Sequence, residues 1–262
     1  MGITLLVSTY NRPDALGASL YSLSLQTMLP DEVVIADDGS TSETAELVKR
    51  VASQLPIPVK HVWQEDDGFR KSLILNKAVK ETSGDYIIQI DGDIVMERHF
   101  IEDHAAVMER GRFIRGGRVM LGEEETKRCL ARFMQDGRFD IKALSGDRNR
   151  MNALRNRLLS RLLGGVGAVT DVKGCNMAYW KADFVRVNGY NNDFMGWGHE
   201  DIEFAIRLHN AGVKLKRLKF GGIAYHLHHA YFSRDNETKN FEMASKMLSG
   251  KNAFADNGYM QV

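Results

Sequence analysis

The hydrophobic pattern opens on a continuous apolar run, Ile3 to Ser8, without the alternation of a half-solvated strand. Such a run suits a strand covered on both faces of a parallel sheet. Pro13 lacks an N–H and fits the first turn of a helix, and Leu16, Leu20 and Leu23 follow at helical spacing to near Gln26. Val33 to Ala36 predicts a second strand, after which Ser40, Thr41 and Ser42 each offer an N-cap to a helix over Ala45 to Val51. A strand over Val59 to Trp63, a helix over Ser72 to Lys80 and a strand over Tyr86 to Ile90 complete a β-α-β-α-β-α-β order. That order implies right-handed crossovers, a parallel sheet and a ligand crevice at the C-terminal ends of its strands.

A helix from about His99 to Glu109 and a strand over Phe113 to Val119 come next, then a helix over Glu123 to Phe133 and a polar, irregular stretch to Asp147. Arg148 to Leu163 predicts a basic amphipathic helix, with Met151, Leu154, Leu158 and Leu162 on one stripe. Arg148, Arg150, Arg155, Arg157 and Arg161 surround the stripe, no acid interrupts it, and the glycine-rich run 164–167 ends it. Past Gly174 to Trp180 the pattern predicts a helix over Ile202 to Leu208, short strands over Lys214 to Lys219 and Ile223 to Leu227, and a helical tail from Thr238. The expected fold class is α/β, a mostly parallel central sheet flanked by helices with a small antiparallel C-terminal part. No repeat or linker divides the chain, so residues 1–262 read as one domain, with halves of about 1–120 and 170–262 around a basic helical insertion near 123–165.

Composition narrows the function. Hydrophobic residues make 44% and charged residues 26% of the 262, ordinary for a globular protein. A formal net charge of +1 argues against coating nucleic acid, which rests on summed phosphate neutralisation by Lys and Arg. The two cysteines, Cys129 and Cys175, form no metal-ligand spacing and no disulfide framework, which points to a reducing compartment. No signal-peptide pattern or membrane-spanning run occurs, so the expected location is cytoplasmic. The basic helix has two readings: it covers core with an arginine-rich outer face, or it lies on the anionic inner face of the membrane with its leucines in the interface.

Candidate chemistry gathers at Asp91-Gly92-Asp93, on the exit of the fourth strand. Two carboxylates so close repel unless a cation or ordered donors neutralise them, and Mg²⁺ or Mn²⁺ shared with phosphate oxygens would do so; the plain alternative is an Asp-Gly-Asp turn. Glu200-Asp201 opens a helix, where acids also serve the helix dipole. Trp197, between two glycines, offers a flat aromatic platform for a sugar ring. In the group His226, His228 and His229, the first two share a face at period two and so could ligate one ion with Asp93.

The ordered set Val7-Ser8-Thr9-Tyr10-Asn11-Arg12, Asp37-Asp38-Gly39-Ser40, Asp91-Gly92-Asp93 and Gly198-His199-Glu200-Asp201 resembles the motifs of family 2 glycosyltransferases with the GT-A fold. Gly68-Phe69-Arg70 with Leu75-Asn76, and Trp197 to Asp201 with the later His-Leu-His, look like the β-1,4-galactosyltransferase and chondroitin polymerase branches. The resemblance implies a UDP-sugar donor. Ser8, Tyr10, Arg12 and Asp38 would hold its nucleoside, Asp38 accepting the uracil imide N–H, while Arg70 reaches the nucleotide or its phosphates. Asp91 would contact the ribose, and Asp93 with His226 first and His228 second would hold the metal. Asp201 would be the general base and Glu200 would orient the acceptor, a glycan or lipid-linked saccharide lying near Trp197, Gly198 and Asn176. The implied reaction is an inverting, metal-dependent hexose transfer in cell-surface polysaccharide or lipopolysaccharide synthesis. Two rivals stand beside it: a non-catalytic nucleotide-sugar-binding or scaffold protein, and a nucleotidyltransferase, whose glycine- and lysine-rich phosphate loop is missing after the first strand.

Overall fold

A computed structural model of the chain describes residues 1–163, 165, 167–230 and 234–262, with the side chains of Arg161 and Leu162 left aside. The strands β1 (Ile3–Thr9), β2 (Glu32–Asp37), β3 (Val59–Trp63) and β4 (Tyr86–Asp91) are parallel neighbours in the order β3-β2-β1-β4. The helices α1 (Pro13–Ser24), α2 (Ser42–Ala52) and α3 (Lys71–Glu81) connect them. β1 and β2 are buried at every position, because alternate side chains enter separate cores on the two faces of the sheet. Leu5, Val7, Val33 and Ile35 meet α1 and α2 on one face, while Leu6, Val34 and Ala36 meet Ile74 and Leu75 of α3 on the other. Continuous apolar runs are therefore what this topology requires.

The sheet continues through β8 (Asn176–Trp180), β6 (Arg112–Arg115) and β9 (Lys214–Arg217), giving seven strands in the order β3-β2-β1-β4-β8-β6-β9. β8 is antiparallel to both neighbours, so the reversed strand sits inside the main sheet. Its polar partner on β4 is Gln89, which accepts from Tyr179 Oη at 2.9 Å and pairs with Tyr190 Oη at 2.9 Å. A second, small sheet joins β5 (Ile94–Met96), β10 (Ala224–His226) and β7 (Val119–Met120) in the order β5-β10-β7. The helices α4 (Phe100–Val107), α5 (Glu123–Asp136), α6 (Arg157–Leu162), α7 (Lys181–Arg186), α8 (Glu200–Asn210) and α9 (Glu237–Ser249) complete the chain.

Two expected elements take another form. The single strand over Phe113 to Val119 divides into β6 and β7, because the chain leaves one sheet for the other at Gly116-Gly117. A Cβ on Gly116 would lie 2.3 Å from the Asn176 side chain, so the crossing needs glycine. The basic stretch 148–163 is not one helix: a 3₁₀ turn over Arg150–Ala153 is followed by the short α6. Asn149 stands in the left-handed region at φ 61°, and Asn156 caps α6 by accepting the Leu159 N–H. Arg155 is drawn inward to Asp103 at 2.7 Å and Arg157 pairs with Glu102 at 3.2 Å, so acids of α4 supply what the local sequence lacks. Met151, Leu154, Leu158 and Leu163 are exposed, Met151 at 74%. Gly164 and Val166, in the run expected to end the helix, lie outside the described residues.

Candidate active site

The ends of β1, β2 and β4 meet at one edge of the sheet, and β4 delivers Asp91 to it. Gly92 turns the chain there, donating its N–H to the Ser8 carbonyl at 2.7 Å. Asp91 accepts from Ser8 Oγ at 2.8 Å and from Lys71 Nζ at 2.6 Å. Burial alone would raise its carboxyl, but the Lys71 charge and these two hydrogen bonds hold it below the usual range. Lys71 Nζ also stands 3.9 Å from Glu200 Oε1. Burial works against its charge, yet Asp91 and Glu200 outweigh burial and keep the ammonium firmly protonated. Nothing at the level of motif spacing singled out Lys71; its place before an apolar helix reads as an ordinary first-turn residue.

Asp93 faces the other way, into a cluster with two histidines. Its Oδ1 lies 3.7 Å from His226 Nε2 and its Oδ2 lies 3.4 Å from His229 Nε2, with all three groups offering ligand atoms within 4.8 Å of one another. The Nδ1 atoms of His226 and His229 lie 2.9 Å and 2.7 Å from the backbone carbonyls of Leu227 and Ala230. A carbonyl only accepts, so each Nδ1 carries the proton and each Nε2 lone pair is left toward Asp93. Burial holds His226 below its usual range, against the pull of Asp93, which favours the neutral ring a metal needs. Asp93 Oδ1 is buried with no hydrogen-bond partner among the described residues. One carboxylate and two imidazoles around an orphaned oxygen fit a divalent cation such as Mn²⁺.

His228 is not part of this group. β10 stops at His226, where the Leu227 N–H bonds to the Asp93 carbonyl at 3.0 Å and the chain turns, so the period-two argument fails one residue too early. His228 is exposed, its N–H donating to Thr126 Oγ1 at 2.8 Å, and His229 returns to the cluster in its place. Asn176 also departs from expectation. It is buried, its Nδ2 donating to the carbonyls of Gly117 at 2.6 Å and Gly222 at 3.0 Å, and its Oδ1 accepting from His104 Nε2 at 2.9 Å. Both polar atoms of that amide are engaged in tying β8 to α4 and to the turns at Gly117 and Gly222.

The β1–β2 side of the crevice carries the remaining motif residues. Asp38 is buried, accepting from the Arg70 N–H at 2.8 Å and from Gln64 Nε2 at 2.6 Å. Burial pushes its carboxyl up to about 6 in spite of those donors. Tyr10 Oη donates to Asp66 at 2.9 Å, and Arg12 pairs with Asp14 at 3.3 Å. The Arg70 guanidinium holds its own loop, donating to the Glu65 carbonyl at 2.7 Å and pairing with Asp67 at 3.1 Å.

Across the crevice α8 begins with the acid pair. His199 precedes it in the left-handed region at φ 70°, after Gly198 at φ 109°. Asp201 accepts the Gly174 N–H at 2.7 Å and the Ile202 N–H at 2.8 Å, which fixes its carboxylate over the start of β8. Glu200 is pushed up to about 7 by burial and the neighbouring Asp201, against the opposing charge of Lys71. Trp197 is half-buried with the Arg234 guanidinium 5.2 Å from its ring centre. Lys71 therefore ties the strand motif to the acid pair through Asp91 and Glu200.

A family model described as glycosyl transferase family 2 matches residues 4–168, and one described as the N-terminal domain of galactosyltransferase matches 161–230. Among curated proteins the chain is 28% identical over 240 residues to validoxylamine A glucosyltransferase of Streptomyces hygroscopicus subsp. limoneus, covering 81% of this chain and 49% of that protein. It is 25% identical over 244 residues to chondroitin synthase of Pasteurella multocida (strain Pm70), covering 86% of this chain and 25% of the other. The chain thus spans about half or less of the length of these relatives. Among solved structures, S. aureus TarS 1–349 in complex with UDP aligns with a TM-score of 0.63 at 16% identity, over 99% of this chain and 68% of that one. The mannosyltransferase PcManGT from Pyrobaculum calidifontis, in complex with GDP-Man and Mn²⁺, aligns with a TM-score of 0.59 at 18% identity, over 86% and 56%. With the first model matching more than half of its 262 residues, the chain belongs to glycosyl transferase family 2.

Proposed function

We propose that the chain is an inverting, metal-dependent glycosyltransferase. It moves a hexose from a UDP-sugar to a hydroxyl of a glycan or lipid-linked saccharide, in cell-surface polysaccharide or lipopolysaccharide synthesis. One observation carries the reading: Asp91 stands between the two groups, its charge reaching His226 of the Asp93, His226 and His229 cluster while Lys71 bridges it to Glu200 of the acid pair. Neighbours of the same fold solved with UDP, and with GDP-Man and Mn²⁺, support a nucleotide-sugar donor.

Asp93, His226 and His229 would hold Mn²⁺ or Mg²⁺, which when bound stabilises negative charge on a departing diphosphate. Asp38 accepts the uracil imide N–H, Ser8, Tyr10 and Arg12 line the nucleoside, and Arg70 orders the loop beside it. Asp91, held by Ser8 and Lys71, presents its free lone pairs to the ribose. Asp201 removes the acceptor proton as the hydroxyl oxygen attacks the anomeric carbon in line, which inverts configuration without a covalent sugar intermediate. Trp197 and Gly198 form the acceptor's floor. A second reading gives the proton transfer to Glu200, because its carboxyl sits at about 7, near the operating pH, while both Asp201 oxygens already accept backbone N–H groups.

The decisive experiment measures UDP release from a panel of UDP-sugars with and without Mn²⁺. Release that needs the metal and an acceptor is expected; none from any donor would leave a binding module, and UMP transfer would indicate a nucleotidyltransferase. D201N is expected to abolish transfer and retain UDP binding. If D201N turns over normally while E200Q is inactive, the base is Glu200.

A membrane location rests on the exposed Met151, Leu154, Leu158 and Leu163 beside Arg148 and Arg150, a combination suited to an anionic bilayer on its cytoplasmic face. Among the described residues no helix is long and apolar enough to cross a membrane.

A further inference from the structure

The far half of the sheet edge holds a group of arginines that make no direct ion pair with a carboxylate among the described residues. β6 and β9 run parallel with Arg115 paired directly to Arg217, a register in which like charges on one face repel. Arg118 follows three residues after Arg115, and the charges of Arg217 and Arg118 both bear on Arg115. Arg115 Nε donates to the backbone carbonyl of Asp171 at 3.0 Å, and the charge of Asp171 opposes those of the two arginines. Arg217 Nε is buried with no acceptor among the described residues. Arg118 Nη1 lies 3.2 Å from Cys175 Sγ, but burial pushes that thiol up to about 11, so it brings no negative charge at neutral pH.

Other arginines here are treated differently. Arg155 meets Asp103, Arg207 meets Glu203 in the core, and Arg70 meets Asp67. Among the described residues, none of Arg115, Arg118 and Arg217 forms an ion pair with a carboxylate. All three are half-buried, which weakens their hydration while leaving them reachable. Gly167 packs over the Arg217 stem, where a Cβ would come within 2.8 Å of Cδ, so the stem is held in place. Arg118 links the group to the reacting centre, since the charges of Asp91 and Asp93 both reach it. The group belongs to the β8-β6-β9 side of the crevice, opposite the β1–β2 side that carries Asp38.

We infer that Arg115, Arg118 and Arg217 form an acceptor subsite for an anionic group, a carboxylate or a phosphate carried by the saccharide that receives the sugar. Planar guanidinium forks match both anions, and a bound anion would make the direct ion pairs that these three side chains lack among the described residues. This subsite rests on the glycosyltransferase reading above and narrows its acceptor to an acidic or phosphorylated saccharide.

The test titrates glucuronate, glucose 6-phosphate and glucose into the full chain saturated with UDP and Mn²⁺ at low salt. At least one anionic sugar is expected to bind about tenfold tighter than glucose, as charge-assisted hydrogen bonds allow. The better anion tells carboxylate from phosphate. R217Q is expected to lose that preference and to melt at the same or a higher temperature, because one of three repelling charges is gone. Equal binding of all three sugars, a preference that survives in R217Q, or anion binding that vanishes once UDP is added would each overturn the subsite. A fall of several degrees in the melting temperature of R217Q would make the cluster structural instead. A wild-type chain that binds no UDP overturns the donor reading alone, and the anion preference is then judged on R217Q without UDP.

Discussion

Replacing Lys71 by methionine removes the single cation between Asp91 and Glu200 and keeps the apolar stem. The lysine side chain is 17% exposed, against 27% for Asp91 and 12% for Glu200. Breaking a fully buried pair by deleting one partner costs about 3–5 kcal/mol. Partial solvent access screens this site, and about 2–3 kcal/mol is the expected loss. A chain of this size loses about 2 °C in melting temperature per kcal/mol, so K71M is expected to melt about 4–6 °C below wild type at pH 7. The deficit depends on pH in a defined direction. Glu200 sits at about 7 even with Lys71 beside it, and without that charge both carboxyls titrate higher still. Falling pH titrates that uncompensated charge sooner in K71M than in wild type, so the deficit should shrink toward pH 5. Thermal melts of the two proteins at pH 7 and pH 5 measure both values. A K71M melting within about 1 °C of wild type at pH 7, or a deficit unchanged at pH 5, would refute the account of Lys71 as the counterion of the site.

Three further outcomes follow from the geometry. H229A should abolish Mn²⁺ binding measured by calorimetry while H228A stays within about twofold of wild type, since neutral imidazole ligands cannot be replaced by an exposed neighbour; equal losses would restore His228 as a ligand. UDP affinity should fall by up to about tenfold per unit as pH drops below 6, because protonation of Asp38 replaces a charged acceptor for the imide N–H with a weaker neutral one. The same titration on D38N should be flat over that range, and a sloping one would exclude Asp38. His104 is buried neutral and held down to about 4 by burial, opposed by the Asn176 hydrogen bond. Its contribution is fully present above the unfolded value near 6.5 and is lost as pH falls toward 4, a loss of about 3 kcal/mol in urea denaturation that H104Q should largely lack.

What the sequence determined by itself was whatever the local chain dictates. Strands β1, β2 and β4 were legible because burial on both faces demands unbroken apolar runs, and α1 because Pro13 and its leucines mark start and face. Asp91, Asp93, Glu200 and Asp201 were legible as candidates because carboxylates at strand exits and helix starts stand out against an apolar background. β8 was not, since Asn176 to Trp180 mixes a buried amide with aromatics whose polar atoms are satisfied by Gln89, His104 and Glu109, all distant in sequence. The basic stretch misled because the acids that draw Arg155 and Arg157 inward lie on another helix. The third member of the metal cluster, the counterion role of Lys71 and the pairing of Arg115 with Arg217 depend on where β10 ends, how α3 meets α8 and which strands are neighbours. Such relations join residues roughly a hundred positions apart, so only the tertiary structure decided them: side-chain chemistry is written locally, but charge compensation and metal ligation depend on distance in space.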